Sequence, residues 1–464
     1  MTKNIPKGEL YLYSHLLYFK NSILNRLFSY FKDYFFGTTK PTTRNLFLVI
    51  LAILTLDTFR SVRFAHRHFI SKLSNTSLNA FYYTLQTDTF EHLVWNDVTT
   101  KKALSVIPEQ LDSQPLFLSI DDTLIEKFGK KFKLSSKLFD HATHNGSNFL
   151  NGHCMVSLLL SFPVMTDDKI QYRSIPLGYR LWDKSKSKLA LAAEMVTQAM
   201  HVIGAKHQVI LLCDSWYPKA EIIKLIEQYD NLHLICNIRS DTVLYDLPPA
   251  PTGKRGRPKK RGKRLSFEQF ALSEPKQGDY KIGTRQVITN LWKDRTVYAL
   301  VTFPKKGKGS YRLFLSTIDA KEISLNLAWC NKGELCPYAE ENIEYLPLDL
   351  YAFRWNIEVS YYEGKTFWSM EQYRVRSSCA IERLVNLLSI SYSAMTLLPY
   401  SDTSFSGYQS ASAQETKYAI GQQIQSFVIL CSFGEFLETV KNSGKLLKML
   451  ETYIISAFHK VKKL

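Results

Sequence analysis

Apolar positions along this chain recur first at helical spacing, then at strand spacing, then at helical spacing again. Leu16, Phe19, Ile23, Leu27 and Tyr30 fall three or four apart with Lys and Arg between them, which predicts an amphipathic helix. The Thr- and Pro-containing stretch 38–43 breaks that pattern. A second helix is expected from Arg44, and a third from about Leu78 to Trp95. Residues 1–110 thus read as helical. Short apolar runs follow at 115–120, 151–162, 169–177 and 209–213, each of a length suited to a buried strand. A helix is expected over 187–203, with Leu189, Leu191, Ala192, Met195 and Met200 on its apolar side. Another is expected over 219–229, opened by Pro218 at its first turn. Strand signals return at 232–238, 284–292, 295–303 and 311–316, with Lys293 and Asp294 as a hairpin turn. Leu350, Phe353, Ile357 and Tyr361 then mark a helix over 351–365, and 381–398 marks a strongly apolar one. Residues 401–415 are rich in Ser, Thr and Gln and read as a flexible linker before a helical tail.

Two of the short strands end in acid. Residues 115–120 lead into Asp121 and Asp122, and 209–213 lead into Asp214. Apolar strands that deliver a carboxylate to the C-terminal edge of an open sheet are a usual place for a site to form. The 351–365 helix carries a second kind of signal. Tyr351, Arg354, Glu358 and Lys365 stand at i, i+3, i+7 and i+14, on nearly one side of a helix. A carboxylate there can bind a hard metal, while the cations and the phenol can grip phosphate. Ordinary i, i+4 ion pairs are the plainer explanation of the same residues.

The charge balance narrows the partner. The 464 residues carry a formal net charge of +17, with 45% hydrophobic residues, and the pI is near 9.3. A globular chain this basic favours an anionic partner, nucleic acid or a membrane surface. Its longest strongly apolar run, residues 46–56, is too short to span a bilayer and reads as a buried helix. Eight of the twelve residues 253–264 are Lys or Arg. Within them Arg255-Gly-Arg257-Pro258 resembles an AT-hook core, and Lys259 and Lys260 extend it. Arg60, Arg63, His66, Arg67 and His68 form a second basic cluster, either a solvated helix face or a DNA-contacting one. Seven scattered Cys with no Cys-x2-Cys pair suit reduced cytoplasmic thiols rather than a zinc site.

The spacing Tyr351-x2-Arg354-x3-Glu358-x6-Lys365 resembles the Tyr-Arg-Glu-Lys signature of DDE transposases from bacterial insertion sequences, the insertion-sequence-four superfamily. The resemblance covers roughly 115–380 and implies an α/β fold: a ribonuclease-H-like catalytic core interrupted by a β-rich insertion, with helical N-terminal and C-terminal regions. It implies a DNA-binding region at 1–110 and a core split between 111–230 and 347–400. The insertion and its basic loop would occupy 231–346, and a linker with a C-terminal helical region 401–464. It also implies Asp121, Asp214 and Glu358 as catalytic and metal-binding acids for two Mg²⁺ ions, with Mn²⁺ as a substitute. Tyr351, Arg354 and Lys365 would contact DNA, joined by Arg255, Arg257, Lys259 and Lys260 of the basic run. The implied partner is double-stranded DNA, as inverted-repeat ends and as target, bound by a homodimer in a bacterial cytoplasm at the nucleoid, with no membrane. Trp216 and Trp292 could stack on an extruded base, although buried core tryptophans are the commoner case. A non-catalytic DNA-binding derivative and a nuclease without strand transfer are the alternatives.

Overall fold

The computed structural model describes residues 22–129, 131–140, 146–250, 259–274, 279–292, 295–306, 309–325, 327–329, 335–337 and 340–440. It is a mixed α/β structure around a central mixed sheet. Among the described residues five α-helices come first: α1 (Ile23–Phe31), α2 (Lys40–Thr55), α3 (Val62–His68), α4 (Leu78–Gln86) and α5 (Val94–Ser105). Helix α2 starts four residues before the expected start at Arg44. Thr39 caps it by accepting from the Thr42 N–H, and Pro41 sits in the first turn, where it removes no helical hydrogen bond. The helix expected over 78–95 is in fact two. Arg383 stabilises the break, its guanidinium donating to the carbonyls of Leu85, Thr87 and Phe90. Leu16 and Phe19 lie outside the described residues.

The strands are β1 (Leu116–Glu126), β2 (Ser136–Phe139), β3 (Phe149–Thr166), β4 (Lys169–Leu181), β5 (Val209–Cys213) and β6 (Leu232–Ile238). They continue with β7 (Leu244–Tyr245), β8 (Arg264–Leu265), β9 (Tyr280–Thr289), β10 (Thr296–Pro304) and β11 (Arg312–Ser316). All belong to one sheet, in the order β2-β3-β1-β5-β6-β11-β10-β9-β7-β8, with β4 also on β3. β1 runs antiparallel to β3 and parallel to β5, and β5 is parallel to β6. Between β4 and β5 the chain crosses over through α6 (Lys188–Ile203), and between β5 and β6 through α7 (Ala220–Ile226). Ser187 caps α6. Pro218 precedes the Lys219 cap of α7, so it ends the preceding turn rather than opening the helix.

The residues expected as a separate insertion extend the same sheet: β11 pairs antiparallel with β6, residue Leu313 against Ile238. The turn at Lys293 and Asp294 lies outside the described residues. After the sheet come α8 (Leu346–Tyr351), a 3-10 turn over Ala352–Arg354, α9 (Trp355–Thr366), α10 (Ser378–Ser401) and α11 (Ala413–Val440). The stretch expected as a flexible linker is packed. Phe405 is buried, Asp402 pairs with Arg26, and Arg173 donates to the Gln409 carbonyl.

Helix α10 covers β4, a strand paired on only one side along most of its length. Bare edge groups in a buried place need partners. Asn386 supplies two of them, accepting from the Tyr179 N–H at 3.0 Å and donating to its carbonyl at 2.9 Å. Glu382 accepts from the Leu181 N–H at 2.7 Å. The helix thereby acts as a further strand for the face that supports the 351–366 region. Asn386→Ala is expected to strand both Tyr179 groups and lower unfolding free energy by about 2–4 kcal/mol, measured by urea denaturation.

Candidate active site

The sheet register brings Asp121 and Asp214 to one level. In the parallel pair Leu116 stands opposite Val209 and Ser119 opposite Leu212, an offset of 93 (209 − 116). The same offset separates Asp121 from Asp214 (214 − 121), so they occupy matching levels just beyond the end of β5. β1 does not stop at Asp121 as its apolar run suggests. It continues to Glu126, because β3 keeps pairing with it as far as Gly152. The acid therefore lies where β1 loses its parallel partner but keeps its antiparallel one. That exposes one side of the strand to a cleft while the backbone stays fixed.

Its neighbour Asp122 points the other way, as alternation in a strand requires. Asp122 Oδ2 accepts from Lys188 Nζ at 2.8 Å and from Cys154 Sγ at 3.2 Å. Its Oδ1 accepts from Tyr217 O–H at 3.1 Å. These partners satisfy Asp122 within the protein. Asp121 instead accepts from Arg354 Nη2 at 3.2 Å and from the Asp122 N–H at 2.8 Å. Lys188, Cys154 and Tyr217 carried no local sequence signal, since each lies on a different element.

The 351–366 region docks on β1 through aromatic contacts. Phe353 stacks on Phe117 with ring centroids 4.4 Å apart, and Tyr361 O–H meets Ser157 Oγ at 2.6 Å. Arg354, in the 3-10 turn before α9, donates Nη1 to Glu358 Oε1 at 2.5 Å while Nη2 reaches Asp121. One guanidinium thus joins the strand acid to the helix acid. Lys365 Nζ donates to the Leu124 carbonyl at 2.9 Å and lies 3.3 Å from Glu371. Tyr351 is half-buried and packs edge-on against Phe314. Burial is the main reason its hydroxyl is held protonated, and nearby Asp214 adds to this.

Burial also dominates at Asp121, and Asp214 adds repulsion. Together they outweigh the Arg354 pairing and push the Asp121 carboxyl up to about 7. Among the described residues no group of three His, Cys, Asp or Glu stands ready-made to hold a metal ion. Arg354 lies between Asp121 and Glu358 and offsets their charge. The donor chemistry nevertheless suits a hard divalent cation, because Asp121, Asp214 and Glu358 offer only carboxylate oxygens. The buried Arg354 Nε has no hydrogen-bond partner in the protein.

An open cavity of about 530 Å³ is lined by Asp121, Asp214, Lys365, Lys188, Trp182 and Trp216 among others; Glu358 and Arg354 are not in its wall. Trp216 is 40% exposed, between Lys188 and Lys219 at 5.2 and 4.4 Å from its ring. Trp292 is 1% exposed and belongs to the core, so it has no face to offer a base. His153, bonded to Tyr373 O–H and the Lys133 carbonyl, is a structural histidine; His141 lies outside the described residues. Arg255 and Arg257 also lie outside them. Lys259 and Lys260 are exposed and lead into β8, at the opposite end of the sheet order from β1 and β5. The structure thus puts Asp121, Asp214 and Lys365 on one cavity wall, ties Glu358 to Asp121 only through Arg354, sets Tyr351 near Arg354, and leaves Lys259 and Lys260 apart.

A carboxyl raised in the folded state stabilises most below its unfolded value near 4, and that contribution is lost as pH climbs through about 7. Asp121→Asn removes this loss. Measured by thermal unfolding in a metal chelator, the variant is expected to melt above the parent at pH 8. The gap should narrow below pH 7 and close below about pH 4.

No curated protein matches the chain. Among the described residues no helix is long and apolar enough to cross a membrane. Residues 73–297, which include Asp121 and Asp214, match the family model described as DDE superfamily endonuclease. The likeness is to an endonuclease family and spans just under half of the chain.

Proposed function

We propose that this chain is a divalent-metal-dependent DDE transposase of the insertion-sequence-four type. In this reading it binds the ends of an insertion sequence, cleaves the phosphodiesters there and joins the freed 3′-OH ends to target DNA. The observation that carries the reading is the shared level of Asp121 and Asp214 on adjacent parallel strands, with Glu358 tied to Asp121 through Arg354. The strand order β4-β3-β1-β5-β6, three antiparallel strands followed by two parallel ones, supports a ribonuclease-H-like core. In that core 111–230 and 347–400 are the two halves, and 231–346 supplies β6 before it interrupts them.

Asp121, Asp214 and Glu358 would hold two Mg²⁺ ions, with Mn²⁺ as a substitute. When bound, the ions supply activation of water or a 3′-OH and charge stabilisation at the leaving oxygen. The protein's own residues do the rest. Arg354 and Lys365 grip phosphate oxygens beside the scissile bond, and Tyr351 adds a hydrogen bond. The sheet fixes two acids rigidly, and the Phe117–Phe353 stack holds the third element against them. The basic run with Arg255, Arg257, Lys259 and Lys260 adds phosphate contacts along the duplex, and a homodimer brings two ends together.

The test uses purified protein, Mg²⁺ and duplexes carrying the inverted repeats that flank the reading frame. Cleavage and end joining are expected. Asp121→Asn, Asp214→Asn and Glu358→Gln should each abolish both while leaving end binding intact on a gel-shift assay. Cleavage without joining would reduce the protein to a nuclease, and binding without either would leave a DNA-binding derivative.

A further inference from the structure

We infer that Arg354 is an exchangeable counterion that couples divalent-cation binding to phosphate binding. The inference rests on the reading that the acids hold divalent ions. It goes beyond that reading by giving one side chain two mutually exclusive partners.

The geometry sets up a competition. Arg354 Nη1 is on Glu358 Oε1 at 2.5 Å and Nη2 is on Asp121 Oδ2 at 3.2 Å. The oxygens that would ligate a cation are therefore already engaged by one. Lys365 does not share the task, since it is bound to the Leu124 carbonyl and Glu371. The Arg354 side chain is only 14% exposed, so its field is poorly screened there. A guanidinium and a divalent ion cannot both sit between the same carboxylates at that burial without strong repulsion. Arg354 must give up Asp121 and Glu358 when a divalent ion takes them.

A released guanidinium needs acceptors. Its buried Nε already has none in the protein, and losing the two carboxylates would leave further donors stranded. The phosphate of a strand in the cleft that Asp121 lines can accept from such a fork in a bidentate manner once Arg354 swings from Asp121 towards it. Phosphate binding in turn draws Arg354 off the carboxylates and opens them to a cation. Linkage requires both effects to be equal in size. The empty state is meanwhile protected, because Arg354 relieves the repulsion among the acids.

The test reads binding, with no turnover. Ca²⁺ alone is titrated into the full-length protein by calorimetry. A labelled duplex oligonucleotide is then titrated by anisotropy with and without Ca²⁺ at constant ionic strength. Ca²⁺ is expected to tighten duplex binding by about 5- to 150-fold. Arg354→Gln should bind Ca²⁺ alone several-fold more tightly than the parent, and Ca²⁺ should then change its duplex affinity less than twofold. Unchanged or weaker Ca²⁺ binding by Arg354→Gln, or undiminished coupling, overturns the inference. Should Arg354→Gln fail to fold, Arg354→Lys decides. It keeps a charge but cannot span both carboxylates, so tighter Ca²⁺ binding with reduced coupling is again expected, and parent-like values overturn the proposal. Asp121→Asn separates the two levels. If it still binds Ca²⁺ like the parent, the metal-site reading itself fails; if it loses Ca²⁺ while Arg354 variants keep full coupling, only the exchange fails.

Discussion

Carboxylates brought together at the edge of a buried sheet repel unless a cation stands among them. In this fold Arg354 is that cation, and much of the surrounding structure exists to hold it there. Its two hydrogen bonds reach back to a strand residue 233 positions earlier and forward to Glu358 on the next turn. Burial first, and repulsion from Asp214 second, hold the Asp121 carboxyl up despite Arg354. A site in that condition favours any further positive charge that can reach its oxygens.

The scaffold divides the work between rigid and adjustable parts. Asp121 is fixed by pairing of β1 on both sides up to Ser119 and on one side beyond it. Asp122 is spent on locking Lys188, Tyr217 and Cys154, which ties α6 and the turn after β5 to the same strand. Lys127, also buried, donates to the carbonyls of Glu371 and Tyr373 and anchors the chain that leaves α9. Glu358, by contrast, sits at the start of a helix preceded by a 3-10 turn, with its side chain 35% exposed. The acid with the least support is the one bound to Arg354 by the shorter contact.

The buried strands were legible because each is a short apolar run, and the acids after two of them stood out against that background. The level match of Asp121 and Asp214 follows from the register, which the spacing alone does not fix. Other features were hidden for physical reasons. α5 has no clean apolar side: Thr99 and Thr100 are buried by bonding back to Trp95 and Asn96 carbonyls, so polar residues occupy core positions. The continuation of β1 past its acids depends on β3, a strand some thirty residues later. The Ser- and Thr-rich 401–415 stretch is held by Arg26 and Arg173, far away in sequence. The partners of Asp122 and the Arg354–Asp121 half of the bridge are tertiary contacts that no local pattern encodes, whereas the Arg354–Glu358 half is an i, i+4 pair of the kind the sequence offered. The spacing of Tyr351, Arg354, Glu358 and Lys365 marked a segment that is the end of α8, a 3-10 turn and α9 rather than one helix. It could not foretell that a cation would stand between the acids.

The most direct measurement is anomalous diffraction from crystals of the full chain soaked in Mn²⁺. The expected result is Mn²⁺ density ligated by Asp121, Asp214 and Glu358, with the Arg354 guanidinium displaced from at least one of the two carboxylates. Crystals saturated with Mn²⁺ that show no such density, and Arg354 still bridging Asp121 and Glu358, would contradict the metal-binding role of these acids.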